Sequence, residues 1–117
     1  MQGETNAMVS SVDIYPSLCE LAGLPLPSHL QGKSFVPILD DLSQSTQESV
    51  YARFRNGDAV ITDRYAFTSY SEGESMLYDH VKDPEENQNV ATNPEYKEVV
   101  VKMRNLLVKS IKEAEQK

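Results

Sequence analysis

An apolar stripe at helical spacing runs down the last part of this sequence and dictates much of what precedes it. Tyr96, Val99, Val100, Met103, Leu106, Leu107, Ser110, Ile111 and Ala114 fall on one side of a helix, while Lys97, Glu98, Lys102, Lys109, Lys112 and Glu113 fall on the other. Asn93 is placed to cap it and Pro94 stands at its first position, where a missing N–H costs nothing. The spacing predicts a helix over about 94–115. A helix with one apolar face needs an apolar surface to cover.

That surface is legible upstream, where the period changes from helical to alternating. "SVYARFRN" places Val50, Ala52 and Phe54 on one face and Tyr51, Arg53 and Arg55 on the other. Asn56-Gly57 then reads as a two-residue hairpin turn. "DAVITD" and "RYAFTSY" are rich in β-branched and aromatic residues, "SEGES" is a second turn, and "MLYDHV" supplies a fourth strand. The expectation is an α+β fold: a four-stranded antiparallel meander covered by the C-terminal helix.

An earlier helix is predicted at about 13–22. Ile14, Leu18, Leu21 and Ala22 recur at helical spacing, with Tyr15 and Cys19 beside them. Asp13 or Ser11 can cap its start, Pro16 falls in the first turn, and Gly23 can end it in the left-handed conformation before Pro25 and Pro27. Residues 23–48 form a long connection, with one helical turn before or around Pro37. A composition boundary near 41–48 divides the chain into residues 1–45 and 46–117. The apolar face of the first helix wants a partner that the polar linker does not offer.

Composition limits the functions available. Of 117 residues, 39% are hydrophobic and 25% charged, and a net charge of −7 without a Lys/Arg cluster argues against nucleic acid and anionic membranes as partners. Apolar runs are too short to span a bilayer. Cys19 is the only cysteine, so an internal disulfide and a cysteine-built zinc site are excluded. Asp79, Asp83, Glu85 and Glu86 cluster in "LYDHVKDPEENQNVA", yet Pro84 interrupts them and no glycine provides the sharp turn of a calcium loop. The turn reading is preferred, with Asn87 and Asn89 bonding local backbone. His80 lacks a nucleophile beside it, and Cys19 reads as a small buried thiol. Arg53, Arg55 and Arg64 are candidates for an anion contact, against the plainer reading as solvated charges on a wet sheet face. No catalytic set and no metal site is complete.

Two stretches resemble a known family. "VSSVDIYPSLCELAGLPLPSHLQGKSFVPILDD" matches, through Asp13, Pro16, Ser17, Leu18, Leu21, Ala22, Gly23, Gly32, Ser34, Pro37 and Leu39, a segment of the sulfatases of the alkaline-phosphatase superfamily. "ITDRYAFTSY" followed by "MLYDHVKDPEENQNVA" is similar to their C-terminal region, and both stretches look most like iduronate-2-sulfatase-type members. The resemblance implies a fragment of a longer hydrolase of sulfate esters, with sulfated saccharides as substrate. It also implies that residues 1–45 are the tail of the large α/β catalytic domain and 46–117 a C-terminal subdomain.

In the family a formylglycine hydrate attacks sulfur while calcium stabilises the charged oxygens. The formylglycine motif, Cys/Ser-x-Pro-x-Arg, does not occur here, since Ile14, Gly23, Pro25, Phe35, Lys82 and Thr92 stand two places before the six prolines. The calcium ligands of the family lie upstream of this region. The chain alone is therefore expected to be inactive, with the rest of the sulfatase chain as its partner, or a second copy covering the first helix. Arg53, Arg55 and Arg64 are then candidates for the substrate rim, although Ile61 and Ala66 stand where relatives carry basic residues. Many sulfatases are exported; the sequence does not assign a compartment. Two rivals remain open: the tail of a related phosphodiesterase or phosphonate hydrolase, and a free-standing acidic binding module.

Overall fold

The computed structural model describes residues 3–115. The chain divides into two compact units, one comprising the residues up to Val50 together with those from Glu113, the other Tyr51–Lys112.

In the first unit a short 3-10 turn, Ser11–Asp13, leads into helix α1, Ile14–Leu21. Its C-terminus is closed as the sequence predicts. Gly23 adopts φ 71°, its N–H donates to the Glu20 carbonyl, and Leu24 N–H donates to the Cys19 carbonyl. These two reversed bonds satisfy carbonyls that the helix leaves open. The N-terminus differs from expectation. The Asp13 side chain does not cap α1 but is buried among three other donors, described below. The faces differ too. Pro16, Ser17 and Cys19 point inward, whereas Ile14, Tyr15, Leu18 and Leu21 are each half exposed or more. A second helix, α2 (Val36–Asp40), forms around Pro37 rather than before it, and buries Ile38.

The second unit holds the meander. Strands β1 (Val50–Phe54), β2 (Gly57–Ile61), β3 (Tyr65–Tyr70) and β4 (Ser75–Asp79) lie in the order β1-β2-β3-β4. Register aligns Val60 with Phe67 and Phe67 with Leu77, so three side chains at 0% exposure form a row across the sheet. Helix α3 (Lys97–Glu115), entered through a 3-10 turn at Pro94–Tyr96, packs Tyr96, Met103 and Leu107 onto that row. Asn93 caps its start as predicted, its Oδ1 accepting from Glu95 N–H at 3.0 Å. Burying each large side chain here contributes roughly 1.5–3 kcal/mol, which makes the sheet–helix contact the main source of stability in this unit.

Two local readings are corrected. The first hairpin turns at Arg55-Asn56, not Asn56-Gly57, and Arg55 takes φ 57°. Gly57 opens β2 beneath the Tyr70 ring, where a β-carbon would lie 2.8 Å from the ring. That contact, rather than a positive φ, is what favours glycine there, since a larger residue would have to displace the ring. In β1 the residue packed against the core is Tyr51, while Ala52 and Phe54 face outward, so the apolar set of this strand is not its core face.

The far edge of the sheet is also sealed. Asn89 Oδ1 accepts from Leu77 N–H and Ala91 N–H, both at 3.0 Å, and Val90 N–H donates to the Leu77 carbonyl. The segment after β4 thus occupies groups that an edge strand would otherwise offer to another chain.

Candidate functional site

Four clusters of polar side chains could carry function. The first ties the amino-terminal unit together. Asp13, 1% exposed, accepts from Ser10 N–H (2.7 Å), Lys33 N–H (2.9 Å) and Gln47 Nε2 (2.7 Å). One turn on, Ser17 Oγ donates to the Asp13 carbonyl and accepts from Phe35 N–H. Gly32 crosses so close to the start of the helix that a β-carbon would lie 2.0 Å from the Val12 carbonyl oxygen. The motif residues Asp13, Ser17, Gly23 and Gly32 are therefore architectural. They lash the 30–36 loop and the linker to α1, and a buried carboxylate without those donors would be costly.

The second cluster closes the carboxyl-terminal unit. Asp79, 2% exposed, accepts from Arg64 Nε (3.1 Å) and Nη2 (3.0 Å), from Tyr96 hydroxyl (2.9 Å) and from Val81 N–H (3.1 Å). The Arg64 guanidinium, followed by the Tyr96 hydroxyl and the Val81 N–H, holds this carboxyl far below the ordinary carboxylate range, against the opposing pull of desolvation. Tyr96 is raised in turn, chiefly by its bond to Asp79. This network binds the start of α3 to the end of β4.

The acidic corner after β4 is occupied by its own backbone. Asp83 accepts from Asn87 N–H and Gln88 N–H, both at 2.9 Å, and those bonds lower its pKa. His80 Nε2 lies 2.7 Å from Glu86 Oε1, and Glu86 takes φ 57° as the chain reverses. The corner steers the chain from β4 toward α3.

The β1–β2 hairpin is the fourth cluster. Asp58 Oδ1 accepts from Arg53 Nε and Tyr51 hydroxyl, both at 2.6 Å. Arg53 first, then Tyr51, lower its pKa, while desolvation and then Asp58 raise that of Tyr51. The Arg55 guanidinium lies 5.3 Å from the centroid of the Phe54 ring and makes no ion pair among the described residues. Phe54 is 76% exposed.

The three arginines singled out by sequence are thus not one group. Arg53 and Arg55 are neighbours at one end of β2, whereas Arg64 lies beyond the other end of that five-residue strand, roughly 17 Å away at strand rise. Sequence reasoning missed the Asp13 hub, the Asp79–Tyr96 bond and the outward Phe54. Only the first left a signal, in the fixed spacing of its motif.

The comparisons agree with this architecture. The chain is 36% identical over 107 residues to the Delta 4,5-hexuronate-2-O-sulfatase of Bacteroides thetaiotaomicron, covering 83% of this chain and 22% of that one. It is 29% identical over 104 residues to arylsulfatase K of Homo sapiens, covering 75% and 19%. A solved 2-O GAG sulfatase superposes with a TM-score of 0.74 at 30% identity, over 88% of this chain and 24% of the other. The phosphonate monoester hydrolase of Agrobacterium radiobacter superposes with a TM-score of 0.80 over 92% and 26%, but at 23% identity it shares the fold alone. The chain spans about a fifth of the length of the curated relatives it matches. Residues 1–113 match the family "N-sulphoglucosamine sulphohydrolase, C-terminal", and with the motif residues serving as the ties of one unit and the helix-covered meander forming the other, this chain belongs to that family of sulfatase C-terminal regions.

Proposed function

We propose that this chain is the C-terminal region of a sulfuric ester hydrolase acting on sulfated saccharides, and that its own part is architectural, with a contribution to the substrate rim. Residues 1–45 complete the large α/β domain, and 46–117 form the subdomain appended to it. The observation that carries this reading is the outer face of α1. Ile14, Tyr15, Leu18 and Leu21, with Leu24 just beyond, are all half exposed or more, on a helix whose opposite face is small and polar. Solvent is an unfavourable neighbour for such a contiguous face. Completing the burial of five half-exposed side chains contributes about 1 kcal/mol each, or about 5 kcal/mol in all, enough to hold a domain in place. The polypeptide that precedes this region in its relatives is the natural cover.

Calcium and formylglycine belong, on this reading, to that preceding part. Asp13, Asp79 and Asp83 do not fit an ion, since each is satisfied by N–H, guanidinium or hydroxyl donors. Cys19 is buried on the inner side of α1 and lies outside any formylglycine motif. Of the three arginines, Arg53 and Arg55 lie near each other, which supports reading these two as rim residues, while Arg64 holds Asp79.

The test is sulfate release from sulfated disaccharides, comparing the 117-residue chain with a polypeptide that includes the coding sequence upstream of it. Turnover by the longer polypeptide alone is expected. Turnover by the short chain, or cleavage of phosphonate monoesters in preference to sulfate esters by the longer one, would overturn the proposal.

A further inference from the structure

We propose that the tip of the β1–β2 hairpin is a saccharide-binding platform, in which the Phe54 ring takes the C–H face of a pyranose and the Arg55 guanidinium takes a sulfate or carboxylate on the same sugar. The choice of a sulfated sugar as ligand rests on the proposed function; the platform itself rests on the hairpin.

Three observations converge there. Among the described residues Phe54 is the most exposed of the large hydrophobic side chains, at 76%, even with a guanidinium lying over its ring. One face of the ring is therefore engaged by Arg55 and the rest is open to solvent. Aromatic rings with an open face accept the C–H groups of a ligand, and a stacked guanidinium beside them keeps its forked N–H donors for an anion. Arg55 is well suited to that part, because Asp58 takes Arg53 and Asp79 takes Arg64.

The third observation is backbone conformation. Arg55 occupies φ 57°, a region where a β-carbon crowds the backbone and glycine is the ordinary choice. Glycine does occur two positions later, at Gly57, but under the Tyr70 ring. Moving this two-residue turn one place along would shift β1 against β2 by two residues and leave its faces as they are, so the turn fixes how near the tip Phe54 lies, not which face it takes. The left-handed residue and the exposed ring are neighbours at the tip, and residues held in this conformation are found often at ligand-binding sites.

The experiment is an NMR titration of the 15N-labelled chain with a sulfated uronic acid–glucosamine disaccharide, its desulfated counterpart, and sodium sulfate. Amide shifts confined to residues 54–57, seen with the sulfated sugar and weak with the other two, are expected. Phe54→Ala and Arg55→Gly should each weaken binding by at least about tenfold. Arg55→Gly should also unfold at a urea concentration no lower than the parent chain, because it relieves the left-handed residue, and this separates lost binding from lost folding. Shifts of equal size with sulfate alone would mean an adventitious ion only, and would sink the proposal. So would the same affinity in both variants, an equal response to the desulfated sugar, or no response at all. No binding here with sulfate release by the longer polypeptide intact would remove the platform and leave the proposed function. Binding here without turnover there would do the reverse.

Discussion

Replacing Asp79 by asparagine tests how the helix is held to the sheet. The carboxylate is 2% exposed and accepts two N–H bonds from Arg64 and one O–H bond from Tyr96. Asparagine keeps the shape but loses the charge and turns an NH2 group toward one of these donors. A hydrogen bond to a charged group contributes about 1.5–3 kcal/mol. Breaking a fully buried pair costs about 3–5 kcal/mol, but the Arg64 side chain is 43% exposed and can rehydrate. The loss should therefore fall near the low end, at about 2–3 kcal/mol. Urea unfolding followed by tyrosine absorbance should show a lower midpoint with an unchanged slope.

The same variant carries a pH signature. Asp79 has a depressed pKa in the folded chain, so its contribution is complete above the unfolded value near 3.8 and is lost as pH falls below it. The difference between parent and variant should be flat from about pH 5 to 8, then shrink below pH 4 by about 1.4 kcal/mol per pH unit. A difference under about 0.5 kcal/mol at neutral pH, within the usual range for surface changes, would refute the reasoning. So would a difference that persists undiminished at pH 2.

Other consequences follow from single contacts. Tyr96→Phe leaves Asp79 its arginine and one backbone donor, and should cost about 1 kcal/mol in the same urea assay. Gly32→Ala places a β-carbon against the Val12 carbonyl and should loosen the first unit, read as faster amide exchange at Lys33 and Phe35 while Phe67 stays protected. Met103→Ala opens a cavity in the second unit and should cost about 2–5 kcal/mol. The 117-residue chain should self-associate with rising concentration in sedimentation runs, and Leu18→Asp with Leu21→Asp should abolish this, because the outer face of α1 exposes Ile14, Tyr15, Leu18 and Leu21 together.

The sequence made most of the architecture legible because period and punctuation agreed. Asn93-Pro94 before the apolar stripe marks the start of α3, and Gly23 before two prolines marks the end of α1. Alternation located four strands, and the row of Val60, Phe67 and Leu77 follows from them. What periodicity could not show was which face of an element meets a core. In α1 the apolar side is the outer one, because the inner side is organised by Asp13 and Ser17 through hydrogen bonds to loop backbone. In β1 the tyrosine packs on the core and the phenylalanine faces outward, because alternation gives two faces without saying which one is buried. Arg64 looked like a free cation until the fold brought Asp79, fifteen residues on, against it. Such pairings depend on strand register, which no local pattern encodes.

Everything said of this chain as part of a larger hydrolase comes back to the bare side of its first helix. Hydroxyl-radical footprinting of Tyr15, Leu18 and Leu21, in the 117-residue chain below its association range and in the polypeptide extended upstream, reads that side directly. The account predicts strong labelling in the short chain and several-fold protection in the long one, with Phe67 and Met103 protected in both. Equal labelling of the helix in the two polypeptides would contradict it.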